Sequence, residues 1–155
     1  MNLSLQLWVL VFGVYAQLTQ VDLNSFLKSF NDLRTSQSLP KACYNQKLLE
    51  ASQSHANYMA SIRDLTHQGA DGSYPPERVT EAGFNLDFVA ENIAFGQTNV
   101  KEVFKSWLGS PDHHASMIES KSVMIGLSTA LASESGFSIN YWTLVMARGS
   151  GESCI

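Results

Sequence analysis

Val123-Met124-Ile125-Gly126-Leu127-Ser128-Thr129-Ala130-Leu131, and after it Phe137-Ser138-Ile139-Asn140-Tyr141-Trp142-Thr143-Leu144-Val145-Met146-Ala147, decide the fold. Both runs are rich in β-branched and aromatic residues. Ala132-Ser133-Glu134-Ser135-Gly136 separates them and supplies a turn, so the pair reads as a β-hairpin. Most of what precedes it reads as helix. Helices first and a hairpin last favour α+β layering over a parallel sheet.

Working back from the hairpin, Ser110-Pro111-Asp112 opens a short helix, with serine as cap, proline in the first turn and aspartate at the positive dipole end. Before it, Thr98 is placed to cap a helix running through Trp107, with Val100, Val103, Phe104, Trp107 and Leu108 as its apolar stripe. Phe88-Val89-Ala90-Glu91-Asn92-Ile93-Ala94-Phe95 mixes strand formers with polar residues, and Gly96 ends it. Pro76 opens a short helix that Gly83 closes, after a turn-rich loop, Gly69 to Pro76. A longer helix starts near Asn45 and is expected to bury Leu48, Leu49, Ser52, His55, Ala56, Met59 and Ile62. The first has its stripe at Leu23, Phe26, Leu27, Phe30 and Leu33, and Pro40 lies beyond its end.

At the N-terminus, Leu5 to Val14 is apolar, and no charged side chain occurs before Asp22. That stretch is shorter than the roughly 20 residues a membrane-spanning helix needs. With Val14-x-Ala16 behind it, the segment fits a secretory signal cleaved after Ala16, giving residues 1–16 as signal and 17–155 as one domain of roughly 139 residues. It lacks the usual basic start, and a buried N-terminal helix or strand is the competing reading. The chain is 45% apolar with net charge −4, enough for a full core. Its basic residues are scattered singly, which argues against nucleic acid as a partner. Later segments offer no transmembrane stretch. Cys43 and Cys154 are the two cysteines. An even count in an exported chain favours a bridge, which would pin the Gly149–Ser153 tail to the body; two buried thiols are the alternative.

Three features suggest a site. His67 follows the second helix in Leu65-Thr66-His67; His113 and His114 occupy the first turn of the Ser110-Pro111 helix, where the dipole disfavours imidazolium. Glu91 interrupts an apolar strand and must find partners there, because burying a bare carboxylate is costly. His55, on an apolar stripe, reads as structural. The spacings carry no short metal motif, nucleophile elbow, phosphate loop or dinucleotide fingerprint. Spacing alone leaves a functional cluster and a satisfied polar network equally open.

The segments Ala51-Ser52-Gln53-Ser54-His55-Ala56-Asn57-Tyr58-Met59-Ala60, Leu65-Thr66-His67, Arg78-x-x-x-Ala82-Gly83-Phe84, Glu91-Asn92-Ile93-Ala94, Trp107-x-x-Ser110-Pro111-x-His113, Ile125-Gly126-Leu127 and Tyr141-Trp142-Thr143-x-Val145 resemble the CAP superfamily in order. That superfamily comprises cysteine-rich secretory, antigen 5 and plant pathogenesis-related class 1 proteins, and the pattern is most similar to its compact SCP-domain branch of bacteria and fungi. The resemblance implies a three-layer α-β-α sandwich with a short, largely antiparallel sheet and a shallow cleft. It carries one cleft histidine to His67 and one glutamate to Glu91. The second glutamate is replaced by Ser110 and the second histidine by Tyr141 or Trp142. His113 takes the place of the histidine that follows Ser-Pro in the compact branch, and His114 stands where arginine usually follows.

The resemblance therefore implies a secreted, extracellular binding module, not obviously an enzyme, whose partner is a lipid, a sterol or another extracellular protein. No cofactor is required by this reading. His67 and His113, with Glu91, form a set able to hold Zn²⁺ with an open fourth position, against the alternative that Glu91 ties the loop after His67 to the Ser110 helix. A metal-assisted hydrolase using His67, Glu91 and His113, with Glu91 as base, is the competing function. Phe84, Leu86, Phe88 and Val89 can line an apolar groove or belong to the core.

Overall fold

The computed structural model describes residues 18–134 and 136–155. The expected signal segment, residues 1–16, lies outside the described residues. In order, the elements are α1 (Gln20–Ser36), β1 (Cys43–Tyr44), α2 (Gln46–Ile62), α3 (Pro75–Glu81), β2 (Leu86–Phe95), α4 (Val100–Leu108), α5 (Pro111–Met117), β3 (Met124–Glu134) and β4 (Phe137–Gly149). The strands form one sheet in the order β1-β3-β4-β2. β2–β4 and β3–β4 pair antiparallel, and only the two-residue β1 pairs parallel, with β3.

Alternation along β4 explains why both faces of this sheet are covered. Trp142, Leu144 and Met146 join Ile125 and Leu127 of β3 in a core with Phe26 and Phe30 of α1, Val103 and Trp107 of α4 and Met117 of α5. Val145 and Ala147 pack on the other face against Leu48 and Ala51 of α2 and Val79 of α3. Tyr141, Ile93 and Ala130 extend that second layer under Ala56, Met59 and Ala60. The result is the expected three-layer α-β-α sandwich. Phe84 is buried in the α2–α3 layer with Leu86 and Val89 packed against it, and the Lys121 ammonium sits 5.6 Å from the centre of the Phe88 ring. Phe84 therefore belongs to the core, and Leu86 and Val89 to its margin.

Gly126 shows how closely the layers meet. A Cβ there would overlap the Leu48 carbonyl and the Leu49 amide, so α2 rests its backbone directly on β3. Asn45 caps α2 by accepting from the Lys47 and Leu48 amides. The helix stops at Arg63 in the left-handed conformation, φ 54°. Ile62, expected inside, is 43% exposed at that last turn. The cap of α4 is Asn99, one residue later than expected; Thr98 instead donates from its amide and hydroxyl to Glu102. Leu108, the last residue of α4, is likewise exposed. The hairpin connection is shorter than the sequence indicates, because Ala132, Ser133 and Glu134 pair with Ile139, Ser138 and Phe137.

The cysteines are bridged, Cys43 to Cys154. The tail is held further by Lys47 on Glu152 at 2.9 Å, by Asn45 Nδ2 on the Ser153 carbonyl and by the Ile155 amide on the Tyr44 carbonyl.

Candidate functional site

Glu91 lies on β2 opposite Val145 of β4. Strand alternation aims it, like Ile93, toward the α2–α3 layer, and aims Asn92 toward the layer of α5. Glu91 is 2% exposed at its side chain and both oxygens are engaged. Oε2 accepts from Nη2 of Arg78 at 2.6 Å, and Oε1 is paired with Nδ1 of His67 at 2.8 Å. Arg78 sits on the short α3. Its Nη1 donates to the carbonyls of His67 and Ser73, at 2.8 and 2.9 Å, folding the intervening loop back onto the strand. The partners that a lone carboxylate in an apolar strand requires are thus an arginine and a histidine.

This pairing fixes the state of His67. Glu91, ion-paired with Arg78, can only accept as a carboxylate, so Nδ1 of His67 carries the hydrogen. In the neutral ring Nε2 then bears the free lone pair. The His67 side chain is 47% exposed. The arrangement presents a half-exposed imidazole in one tautomer from a buried, charge-balanced base.

His55 belongs to the same cluster. Its Nε2 lies 2.7 Å from the Thr66 carbonyl and 3.8 Å from Oε1 of Glu91. Both neighbours are acceptors, so Nε2 is protonated and Nδ1 is the acceptor nitrogen, buried without a partner. Burial pushes the His55 pKa down, against the pull of Glu91 and with a smaller push from Arg78 in the same direction. The ring is neutral under ordinary conditions.

His113 approaches from the other layer. Asn92 Nδ2 donates to its carbonyl at 3.0 Å, tying α5 to β2. Burial lowers the His113 pKa, and the charge of His67 lowers it further, so the two imidazoles lie within electrostatic reach of each other. Among the described residues His113 makes no hydrogen bond to Glu91. The tie between strand and α5 runs through Asn92 and the backbone, whereas Glu91 ties the loop after His67 to α3. His114 leaves Nε2 buried and unpaired. Tyr141 stacks on Phe95, Trp142 donates from Nε1 to the Gln97 carbonyl, and Ser110 serves as the N-cap position of α5.

A zinc site with Glu91 as ligand does not fit this arrangement, because both its oxygens are taken by Arg78 and His67. Among the described residues no group of three or more His, Cys, Asp or Glu is arranged to hold a metal ion. Arg78 and His55 are the site members that sequence reasoning did not assign. Arg78 had a signal, a cation within one of the motifs; His55 was masked by its place on an apolar stripe.

The profile of the cysteine-rich secretory protein family, CAP, matches residues 27–146. The chain belongs to the CAP family. Its fold is similar to that of an outer surface protein from Borrelia burgdorferi, with a TM-score of 0.76 and 18% identity over 88% of this chain and 99% of the other. It is also similar to an extracellular SCP-domain protein from Bacillus anthracis, at a TM-score of 0.68 and 16% identity over 81% of this chain and 39% of the other. A cysteine-rich secretory protein from Staphylococcus aureus gives 0.62 and 16% over 83% and 38%. The chain thus spans the full length of the first protein but about two-fifths of the other two. No curated protein matches the sequence. Within the CAP family, then, this member carries an Arg78–Glu91–His67 cluster on the α2–α3 face of the sheet.

Proposed function

We propose that this CAP domain acts outside the cytosol as a non-enzymatic binding module in which His67 is the recognition group for a lipid, a sterol or an extracellular protein. One observation carries the reading: a buried, ion-paired Glu91 fixes a half-exposed imidazole in a single tautomer. Such an arrangement is preorganised to accept a hydrogen bond at Nε2 without loss of rotamer entropy on binding. It argues against Glu91 as a general base, since neither oxygen is free to take a proton from a water. Among the described residues no hydroxyl or thiol pairs with His67 as a nucleophile would. The disulfide, the family and the surface or extracellular origin stated for similar structures support a location outside the cytosol.

The test compares the parent chain with His67→Ala in a filter assay for sterol and lipid uptake, alongside melting curves with Zn²⁺ or EDTA. Ligand uptake lost in His67→Ala and a Tm indifferent to both reagents is the expected result. At a hundredfold excess over its dissociation constant, a real zinc ligand would add about 2.7 kcal/mol. A zinc-dependent rise in Tm that His67→Ala with His113→Ala abolishes would replace this reading with a metal-binding one.

A further inference from the structure

The sheet order β1-β3-β4-β2 leaves one long side of β2 without a neighbouring strand. Two contacts fix which residues face that side. The Gly96 amide, next after β2, donates to the Asn140 carbonyl of β4. By alternation Ala94, Asn92 and Ala90 also turn their backbone groups inward to β4. The Ile93 carbonyl points the other way and accepts from Nε1 of Trp107 at 3.2 Å. Val89 and Glu91 share the orientation of Ile93. Among the described residues no loop or side chain bonds their amides and carbonyls, nor the Ile93 amide. Glu91 shows that this side is open. Its side chain is 2% exposed, yet the residue as a whole is only half-buried, so the surface it presents is main chain.

An open strand edge offers donors and acceptors in alternation, with successive outward residues about 7 Å apart. A polypeptide backbone carries the complementary groups at that spacing; a sterol or an acyl chain carries none. We infer that β2 between Val89 and Ile93 is the docking edge for an extended segment of an extracellular protein, which adds to the sheet as a further strand. The inference rests on the reading of this face as a binding module and selects the protein partner within it. His67 on Glu91 and the His113 carbonyl on Asn92 stand on opposite sides of the edge, an entrance suited to one extended segment rather than to a folded sheet. Trp107 occupies the Ile93 carbonyl and ends the run. Side chains of the added segment alternate, so every second one turns to the α2–α3 side, where His67 Nε2 accepts from a hydroxyl or an amide.

The experiment selects linear heptapeptides from a displayed library against the full chain, titrates them into ¹⁵N-labelled protein and follows amide exchange by NMR. In the free chain the amides of Val89, Glu91 and Ile93 should exchange fast and those of Ala90, Asn92 and Ala94 slowly. Bound peptide should slow the first three. N-methylation of the peptide at alternate residues should weaken binding about tenfold or more in one register and little in the other. Val89→Pro removes an outward amide that the ladder does not use, so the fold should be retained and binding abolished. His67→Ala should weaken a hydroxyl-bearing peptide, with the same amides still protected at higher peptide concentration. Equal affinity in that variant would remove His67 from recognition and leave the edge inference standing. Slow exchange of Val89 and Glu91 in the free chain, no selected peptide that slows them, N-methylation tolerated in both registers, or undiminished binding by a folded Val89→Pro would overturn the inference. A concentration-dependent dimer that protects the same amides would overturn it in favour of self-association.

Discussion

Glu91 and Asn92 are neighbours on one strand, yet they fasten different layers of the molecule. Glu91 clasps Arg78 and His67 on the α2–α3 side, while Asn92 reaches the carbonyl of His113 on the side of α5. A single peptide step across the pleat therefore joins both helical layers to the edge of the sheet, and each attachment can be broken separately.

Glu91→Gln removes the carboxylate that ion-pairs with the buried Arg78. Breaking one partner of a buried pair costs about 3–5 kcal/mol. A drop of that size is expected in urea unfolding. Arg78→Met combined with Glu91→Leu should recover a large part of it, and a double variant no better than the single one would show that the pair is not an energetic unit.

The two histidines with depressed pKa values set the acid response. His55 and His113 are both pushed below the ordinary imidazole value, first by burial. The unfolded chain therefore binds protons that the folded chain refuses, and stability rises with pH across that interval. Their contribution is fully present above the unfolded value, about 6.5, and declines as pH falls through the folded values. The Tm measured from pH 8 down to pH 5 should fall, and His55→Phe with His113→Ala should flatten the slope. An unchanged slope in that variant would assign the acid sensitivity elsewhere.

The bridge between Cys43 and Cys154 spans a sequence separation of 111. Chain-entropy arithmetic for a loop of that size gives about 4–5 kcal/mol. Replacing both cysteines by serine should lower the unfolding free energy by up to that amount. The Lys47–Glu152 and Asn45–Ser153 contacts still dock the tail in the folded state, so the fold itself should survive, with an unchanged far-UV circular dichroism spectrum.

At Gly126 the backbones of α2 and β3 leave no room for a methyl group. Gly126→Ala should cost about 1–3 kcal/mol by forcing the two layers apart. Calorimetry showing a Tm equal to the parent's would mean that the helix moves away freely.

The layering was legible because periodicity reports it directly. The hairpin runs, the 3.6-residue stripes of α1, α2 and α4 and the Pro and Gly stops each encode local geometry. β1 was not legible, since two residues cannot show a period. The site was half legible. Glu91 announced itself by physical cost, a carboxylate among strand formers, and His67 by the family motif. Arg78 reaches Glu91 from another element, 13 positions earlier, and no local period connects them. Arg34 teaches the same lesson with a clearer signal. It continues the Phe26–Phe30 stripe by one more turn and is fully buried. There its guanidinium donates to the Pro40, Met117 and Glu119 carbonyls. A charged residue on an apolar stripe needs acceptors as surely as one in a strand.

The docked tail also protects the sheet. Cys43 and Asn45 donate their amides to the carbonyls of Val123, just before β3, and of Ile125 within it, so the Tyr44 carbonyl faces outward at the margin of the sheet, and the Ile155 amide occupies it. A bare margin of that kind recruits strands from neighbouring molecules and seeds aggregation. With the bridge cut, only the Lys47–Glu152 and Asn45–Ser153 contacts keep it covered, so a reducing environment bears on this protein's colloidal solubility before it bears on its fold.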